Sequence, residues 1–537
     1  MRQKDNLRQE TGDWRLGSLQ PPVSSLLKKQ WLWLLATLIL AILLRLPALD
    51  MLIDNDGGAR AYHARLILAG EPLYGTHHTG HHLPAIYYTY ATAMAFFGDS
   101  AWAIQFFLLL WTIPTVYFLY LLALELTDDR VTALLAALFY AILSAHLQLW
   151  GQTAETELFA NFFRITAVWL LIFLLKREKP AWQFGGVGLL AAAAFLYKPV
   201  FLSPLAVAGL ALLITGLRQR PQIGFWQTVW PRGGWLALGF VAGLLPVVRY
   251  FASQGLLDRL LLVFTLGQSY GADNALTAEV ASSAVRWLLY PLLPLFGLGV
   301  NNAALLMFGL AGGFLVARRK ALRHSSLLWL LLWLLLSFAE AGVNLELFAH
   351  YYLLIVPPLV ILAAWFLRRL YRDVVRAGGR GWGTAVFASL LLVALGISGW
   401  ENGTYWQQYL RYRTGAIAQA EFVAQGWPSF GPRLTRVAEL ADFVVAQTHP
   451  DDRLYYWSED VQLYYLANRR PPIEMIWPID IGATGPPQRI FAPQTRLIII
   501  DQRREPAPPG WFLAELAANY ELVAQFDEQL IYQRVSD

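Results

Sequence analysis

The chain has 537 residues, of which 56% are hydrophobic and only 15% are charged, and its formal net charge is +5. This composition is too apolar for a soluble multidomain protein, and it indicates a membrane protein that carries a polar appendix. Because the chain contains no cysteine, disulfide bonds and thiolate metal sites are excluded.

About eleven apolar stretches have a length close to the 20 or so residues that a membrane-spanning helix needs. The fifth and sixth stretches are short, so the count holds to within one or two. In chain order, the predicted spans are residues 31–49, 102–122, 131–149, 158–175, 182–197, 199–217, 235–252, 293–316, 326–342, 351–367 and 383–400.

The basic residues predict which side of the membrane each loop faces. If the tail at 1–30 is cytoplasmic, the cytoplasmic segments hold 22 lysines and arginines, whereas the opposite loops before residue 400 hold 5. This asymmetry agrees with the positive-inside rule. The loop at 50–101 and the region at 401–537 are therefore predicted to lie outside the cytoplasm.

The loop after the first span is the most polar part of the N-terminal half. Residues 54–90 contain two acids, Asp54 and Asp56, and five of the nine histidines of the chain. Clustered carboxylates and imidazoles are the groups that metal or phosphate chemistry needs. On either side of the histidine-rich turn, residues 57–70 and 83–98 have the pattern of amphipathic helices that lie along the outer membrane face.

Further polar residues occur at the predicted outer ends of later spans. Glu155 and Glu157 begin the fourth span, and acids at such a position are expected to face the bundle interior or water. Lys198 lies between spans five and six, Arg259 lies in a long outer loop, and His350 begins the tenth span. All five residues are thus predicted to lie on the same side of the membrane.

From about residue 401 the composition becomes that of a small α/β domain. A helix-like segment precedes four strand-like segments, and this alternation predicts one sheet packed with helices. The helix-like segment is 436–447, and the strand-like segments are 453–458, 496–501, 521–527 and 530–535.

The order of these motifs resembles that of the GT-C glycosyltransferases, specifically bacterial glycosyltransferase family 39, which is related to protein O-mannosyltransferases and lipid A aminoarabinose transferases. The resemblance covers the whole chain. The matching motifs are Asp54-Asn55-Asp56, His81-His82-Leu83-Pro84, Glu157 or Glu155, Lys198-Pro199, and His350-Tyr351-Tyr352 followed by Pro357. The family usually has lysine where this chain has His82, and this departure weakens the expectation of a phosphate contact there and strengthens that of a metal.

The resemblance implies a mainly α-helical polytopic membrane protein with a transferase domain at 31–400 and the small α/β domain outside the cytoplasm. It implies a hexosyl- or pentosyltransferase of the cell membrane that moves a monosaccharide from a polyprenyl-phosphate donor to a lipid, glycan or protein acceptor, with no nucleic-acid partner. The alternative is a transporter or flippase for lipid-linked sugars, which would be expected to place its ionisable residues near the bilayer midplane.

Glycosyl transfer needs a base for the acceptor hydroxyl and positive charge for the departing phosphate. Asp54 is the predicted base. The other two acidic residues predicted to belong to the catalytic site are Asp56 and Glu157. The predicted contacts to the donor phosphate are Lys198, His81, His82, His350 and Arg259. A divalent ion (Mg, Mn or Zn) is an optional cofactor, and its predicted ligands are Asp54, Asp56, His77 and His81.

Each role has a structural alternative. The two aspartates could cap the helix that follows them, because Asp is a good N-cap residue. Glu157 could form an interior ion pair with Arg164, two helical turns further along. Lys198 could extend its side chain to the membrane interface without binding a ligand.

Overall fold

A computed structural model describes residues 30–78, 82–219, 224–272, 293–318, 327–343, 348–428, 430–474, 489–504 and 507–535. The N-terminal helices are α1 Gln30–Leu43, α2 Asn55–Leu68, α3 Ala85–Phe97, α4 Ala101–Thr127, α5 Arg130–Leu143, α6 Thr156–Lys176, α7 Phe184–Phe195, α8 Ser203–Gln219 and α9 Phe225–Ser253. They are followed by α10 Leu257–Ala272, α11 Leu293–Arg318, α12 Leu327–Gly342, α13 Val356–Arg413, α14 Gln419–Gly426 and α15 Gly431–Gln447. Short 3-10 helices at Leu46–Asp50, Leu147–Leu149, Ala181–Gln183 and Ala349–Leu354 connect them.

The helical part is that of a multi-pass membrane protein. Five segments of the described residues are long and apolar enough to cross a membrane: Gln30–Asp50, Ala101–Thr127, Thr156–Lys176, Phe225–Ser253 and Val356–Arg413. Shorter apolar helices accompany them at Arg130–Leu143, Ala181–Phe195, Ser203–Arg218, Asn302–Arg318 and Leu327–Gly342. The helical membrane architecture is therefore confirmed, whereas the count of eleven spans stays a prediction.

The last two predicted spans, 351–367 and 383–400, lie on either side of a break in the helical backbone. Residues 351–354 belong to a 3-10 helix, and the remainder of both spans lies in α13, which is interrupted only at Gly379. The φ angle of Gly379 is +82°, a backbone conformation that glycine adopts without a steric penalty. The two apolar stretches therefore lie on two helical segments that meet at a kink at Gly379.

The helix predicted at 57–70 is present as α2, but it is buried along most of its length and is not an exposed amphipathic helix. Its residues from Gly57 to Ala64 are all buried, including Arg60 and His63. A Cβ atom at Gly58 would lie 2.1 Å from the Cβ of Gln462, which belongs to the C-terminal region. The small side chains of α2 thus permit a close helix contact, and its polar residues face protein on both sides.

The C-terminal region contains the predicted sheet. Its elements are β1 Arg453–Trp457, α16 Gln462–Leu466, β2 Thr495–Asp501, α17 Gly510–Asn519, β3 Tyr520–Phe526 and β4 Gln529–Arg534. The strand order is β1-β2-β4-β3, in which β1 and β2 are parallel and the other pairs are antiparallel. All four strands coincide with the predicted segments to within a residue at either end.

The two faces of the sheet bury different helices, as the alternation of side chains along a strand requires. Leu454 and Tyr456 pack in the core that also includes the apolar face of α15. Tyr455 and Trp457 point the other way and pack against Phe512 of α17. The face with Leu454 and Tyr456 is the one directed toward the helical bundle, and α16 and α2 lie between the sheet and the bundle on this side.

Candidate active site

Four segments that are distant in sequence meet at one end of the bundle. They are the start of α2, the start of α6, the turn after α7 and the 3-10 helix Ala349–Leu354. We call their charged and imidazole residues the polar cluster, which comprises Asp54, Asp56, Arg60, Glu155, Glu157, Lys198 and His350. All but Asp56 are buried.

Asp54 is held at the start of α2 by the helix itself. Its carboxylate accepts a hydrogen bond of 2.6 Å from the backbone N–H of Gly57, so the capping alternative is confirmed for this residue. Burial, reinforced by the negative charge of Glu155, raises the pKa of Asp54 to about 7. The Asp54 side chain therefore caps α2 and can also accept a proton near neutral pH.

Arg60 joins two acids that come from different segments. Its Nη2 lies 2.9 Å from Oδ2 of Asp56, and its Nη1 lies 3.0 Å from Oε2 of Glu155. The motif pattern offers Glu155 only as an alternative to Glu157, and it does not identify Arg60 as a site residue. The spacing of four between Asp56 and Arg60 on a helix was the signal that could have paired them.

Lys198 and Glu157 form the second ion pair of the polar cluster. The distance between Nζ of Lys198 and Oε1 of Glu157 is 3.2 Å, and the ammonium lies 4.0 Å from the ring centroid of Tyr351. Because Lys198 is only 4% exposed, the alternative of an interfacial lysine is wrong. The predicted alternative partner of Glu157, Arg164, is also wrong.

Arg164 instead forms a buried hub below the polar cluster. Its Nη2 lies 2.6 Å from Glu340 and donates to the hydroxyls of Ser203 and Ser337 at 3.0 and 2.9 Å. Its Nη1 donates to the carbonyl of Leu354 at 3.1 Å. The hub therefore ties α6 to α8, to α12 and to the 3-10 helix that carries His350.

His350 completes a group that could hold a metal ion. One ligand atom each from Asp56, Glu155 and His350 lie within 4.8 Å of one another. The imidazole stacks on Trp150 with ring centroids 4.7 Å apart, and its Nδ1 has no hydrogen-bond partner among the described residues. Two carboxylates and an imidazole are a suitable donor set for Zn²⁺ or Mn²⁺. The residues therefore fit a divalent ion, although Arg60 competes for both carboxylates.

This group differs from the predicted ligand set, of which it retains only Asp56. Asp54 lies outside the group and accepts the capping hydrogen bond, and His81 lies outside the described residues. His77 is buried, and its Nδ1 is 3.1 Å from the carbonyl oxygen of Ile473. Burial lowers the pKa of His77 to about 4, so this imidazole is neutral and connects the turn to the C-terminal region.

Arg259 and His82 lie at the same turn rather than in the polar cluster. The guanidinium of Arg259 contacts the carbonyl of Gly75 and the carboxylate of Glu474, and its own carbonyl is 2.9 Å from Nε2 of His78. The ring of His82 meets the ring of Tyr87 edge-on at 6.5 Å. The structure thus joins Arg259 to the turn and the C-terminal region, and of the five predicted phosphate contacts it places Lys198 and His350 in the polar cluster.

Sequence comparison finds one protein family that matches part of this chain. Residues 81–242 match the sequence model of the family described as dolichyl-phosphate-mannose-protein mannosyltransferase. No curated protein sequence matches the chain at a significant level. The match covers the segment from the histidine-rich turn to the middle of α9, which includes Glu155, Glu157 and Lys198.

Solved structures resemble the whole chain. ArnT from Cupriavidus metallidurans bound to undecaprenyl phosphate has a TM-score of 0.59 at 14% identity, covering 96% of this chain and 99% of that one. Its apo state gives 0.53 at 15% identity, with coverages of 94% and 98%. The archaeal oligosaccharyltransferase AglB from Archaeoglobus fulgidus, in complex with an inhibitory peptide and a dolichol-phosphate, gives 0.51 at 14% identity, with coverages of 87% and 69%. With the bundle, the polar cluster and the C-terminal sheet in place, these likenesses confirm that the chain has the GT-C fold that its motifs predict.

Proposed function

We propose that this protein is a membrane glycosyltransferase of the GT-C type, which moves a monosaccharide from a polyprenyl-phosphate donor to an acceptor on the extracytoplasmic face. The observation that carries the proposal is the polar cluster, in which buried acids and buried cations from four segments meet at one end of the bundle. The lipid phosphates bound to ArnT and AglB support a donor of this class. The asymmetry of basic residues supports the extracytoplasmic side.

On the acceptor side, we assign the base to Asp54. Transfer forms a bond between the acceptor oxygen and the anomeric carbon, and it breaks the bond from that carbon to the donor phosphate. The acceptor hydroxyl gives its proton to the Asp54 carboxylate, whose Oδ1 is engaged in the cap. A pKa of about 7 suits this task, because the carboxylate is then both available and basic at neutral pH.

On the donor side, we assign the departing phosphate to Lys198 and His350. The phosphate leaves with the electron pair of the broken bond, and the Lys198 ammonium stabilises the negative charge that develops there. Glu157 acts as a positioning residue, because its carboxylate holds the ammonium in place before the donor binds. His81 and His82 remain proposed contacts to the sugar or the phosphate, whereas we assign Arg259 to holding the turn.

Asp56, Glu155 and His350 would hold a divalent ion if one is needed. Such an ion would supply positive charge close to the phosphate oxygens. Without it, Arg60 supplies positive charge to the same two carboxylates. We assign Arg60 the role of keeping Asp56 and Glu155 together in either case.

The test is turnover by the purified protein in lipid nanodiscs, with radiolabelled polyprenyl phosphate sugars as donors and a membrane extract as acceptor. The expected result is release of free polyprenyl phosphate together with a labelled product that mass spectrometry can identify. In liposomes, a transporter or flippase would instead move the intact donor across the bilayer and leave its phosphodiester unbroken. That outcome would replace the proposal by its alternative.

A further inference from the structure

An open apolar groove lies at the end of the helical bundle that is opposite to the polar cluster. It has a volume of about 480 Å³ and is lined by α6, by the start of α7 and by α9. This volume falls within the range of about 300–1,000 Å³ that is usual for ligand sites. The lining residues that bear on its function are Phe173, Trp182, Gln183, Gly185, Trp235 and Leu238.

Glycine residues create the groove. A Cβ atom at Gly239 of α9 would overlap the carbonyl oxygen of Gly185, and a Cβ atom at Gly186 would lie 3.2 Å from Cδ2 of Leu170 on α6. The helix α7 therefore contacts α9 backbone to backbone and lies between α6 and α9. Because positions 185 and 186 carry no side chain, the larger side chains of the two flanking helices extend beyond α7 and leave an open channel between them.

The groove opens at the membrane interface on the side away from the polar cluster. Glu157 of the polar cluster lies near the start of α6, and Phe173 lies 16 residues further along the same helix, which corresponds to about 24 Å. Exposed tryptophans are typical of the headgroup level of a membrane. Four of them occur at this end of the bundle: Trp182, Trp226, Trp230 and Trp235. A ligand of the groove therefore comes from the leaflet opposite to the polar cluster.

No charged side chain lines the groove among the described residues, but cations lie at its mouth. The segments that form it carry five charged residues at this end: Lys176, Arg177, Glu178, Lys179 and Arg232. Lys176 and Arg177 are paired with Glu125, at 3.7 and 2.7 Å. The other three form no ion pair with any residue that the structure describes, which leaves two unpaired cations and one unpaired acid at the mouth.

Arg232 is the cation best placed to meet a headgroup. Its guanidinium carbon lies 5.7 Å from the ring centroid of Phe184, whose neighbours Gln183 and Gly185 line the groove. Trp235, one helical turn after Arg232, lines the groove from α9. A guanidinium forms paired hydrogen bonds with phosphate oxygens. The amide of Gln183, which has no partner within the described ranges, can donate a further hydrogen bond.

We propose that this groove binds one anionic phospholipid of the leaflet opposite to the polar cluster. Its acyl chain would lie along the glycines of α7, and its phosphate would lie at Arg232. An apolar channel that is open to the bilayer suits an acyl chain, and the unpaired cations favour a headgroup with net negative charge over a zwitterionic one. The site is separate from the proposed donor site, and lipid binding there is independent of sugar transfer. Because the lipid would contact both α6 and α9, it would stabilise the bundle at this end.

The test is native mass spectrometry of the full-length protein, delipidated in detergent and titrated with phosphatidylglycerol or with phosphatidylcholine of the same acyl chains. In the wild type, we expect the first phosphatidylglycerol to bind about tenfold or more tightly than the first phosphatidylcholine. Arg232→Gln should abolish this preference, because it removes one charge-assisted contact. Arg177→Gln is the matched control and should keep the preference, since Arg177 lies over Phe173 at the same mouth but already pairs with Glu125.

Two further variants, Gly185→Leu and Leu238→Trp, fill the groove without changing its charge. A Cβ atom at position 185 would have its nearest contact at 3.5 Å, and Leu238 is exposed, so both variants should fold with the melting temperature of the lipid-free wild type. We expect both to lose the first phosphatidylglycerol. The melting temperature should rise with added phosphatidylglycerol in the wild type but not in the filled variants.

Four results would refute the proposal. Equal affinity of the wild type for the two lipids would show an unselective lipid contact. Equal loss of the preference in Arg232→Gln and Arg177→Gln would attribute it to the charge of the whole surface. Unchanged lipid binding in a folded filled variant would place the lipid elsewhere. A lipid-free dimer that the filled variants dissociate would show that a second copy of the chain occupies the groove.

Discussion

Replacing Asp54 by asparagine separates its two roles. The asparagine amide oxygen can still accept the hydrogen bond from Gly57, and asparagine is as good an N-cap as aspartate. It cannot take a proton at neutral pH. We therefore expect Asp54→Asn to fold and to bind donor, but to transfer sugar at least about a hundredfold more slowly, since loss of a general base costs roughly 10²–10⁴ in rate.

The raised pKa of Asp54 adds a prediction about stability. The unfolded chain releases this proton near pH 3.8, whereas the folded protein keeps it up to about pH 7. Between these values the folded state binds more protons, so the free energy of unfolding falls as the pH rises. Above pH 7, the ionisation of Asp54 lowers the free energy of unfolding by at most about 4 kcal/mol, at 1.4 kcal/mol per pKa unit. Asp54→Asn removes it, so the variant should be at least as stable as the wild type at pH 8.

The assay combines turnover at saturating donor with thermal unfolding followed by tryptophan fluorescence, each from pH 5 to pH 8. In the wild type, kcat/KM for the acceptor should rise with pH through about 7, because the base must be deprotonated. In Asp54→Asn the residual rate should not follow this titration. Asp50→Asn is the matched control, because Asp50 lies four residues earlier and pairs with Arg413 at 3.0 Å. It should leave the pH profile unchanged.

Two results would refute the reasoning. Near-full activity in Asp54→Asn, combined with loss of activity in Asp56→Asn, would transfer the role of base to the second acid. Destabilisation of Asp54→Asn at pH 8 by more than about 1 kcal/mol, the usual worth of a cap, would show that the carboxylate is stabilised in its charged form. The pKa of Asp54 would then be lowered in the folded protein, whereas burial and the charge of Glu155 are argued here to raise it.

Four further predictions concern the polar cluster and its side of the membrane. Lys198→Met should lower the free energy of unfolding by about 3–5 kcal/mol, because it leaves Glu157 buried without a partner; adding Glu157→Gln should restore stability but not donor use, and recovery of both would show that the lysine has no donor contact. Glu155→Gln should move the acidic limb of the pH–rate profile to lower pH, because the charge of Glu155 raises the pKa of the neighbouring aspartate; an unmoved limb would contradict this coupling. If an ion binds, chelation by EDTA should abolish wild-type turnover and excess Mn²⁺ should partly rescue Asp56→Asn, whereas EDTA-resistant turnover would exclude the ion. A cysteine at the exposed position 421 should react with a membrane-impermeant maleimide in intact cells or spheroplasts, and labelling only after lysis would contradict the topology.

Local sequence patterns predict those helices and strands whose formation depends on nearby residues. The strands of the C-terminal sheet follow from alternation, and the membrane helices follow from length and apolarity. The motif order also predicts the fold and every member of the polar cluster except Arg60: Asp54, Asp56, Glu157 or Glu155, Lys198 and His350. These features need no knowledge of which distant segments pack together.

The errors arise where a distant segment decides the environment. The helix α2 has polar residues that suit a membrane surface, but the C-terminal region covers it and Gly58 permits the contact. Arg60 finds Glu155 95 residues away, and no local spacing predicts that pair. Glu157 and Arg164 lie on one helix two turns apart, yet they pair with different partners, because the turn after α7 supplies Lys198 and α12 supplies Glu340.

The pairing of charges explains how such a site can be assembled before any substrate binds. An isolated buried charge is strongly unfavourable, and each cation of the polar cluster is therefore matched by a carboxylate: Arg60 by two, and Lys198 by Glu157. A donor phosphate that reaches Lys198 competes with the Glu157 carboxylate for the ammonium, so the cation keeps a counter-ion throughout this exchange. The Arg164–Glu340 hub fixes the segments that carry Lys198 and His350, so this exchange needs no rearrangement of the backbone. The acids of the polar cluster are thus as necessary for holding the cations as for proton transfer, which is why only Asp54, whose proton affinity lies near neutral pH, is assigned the base.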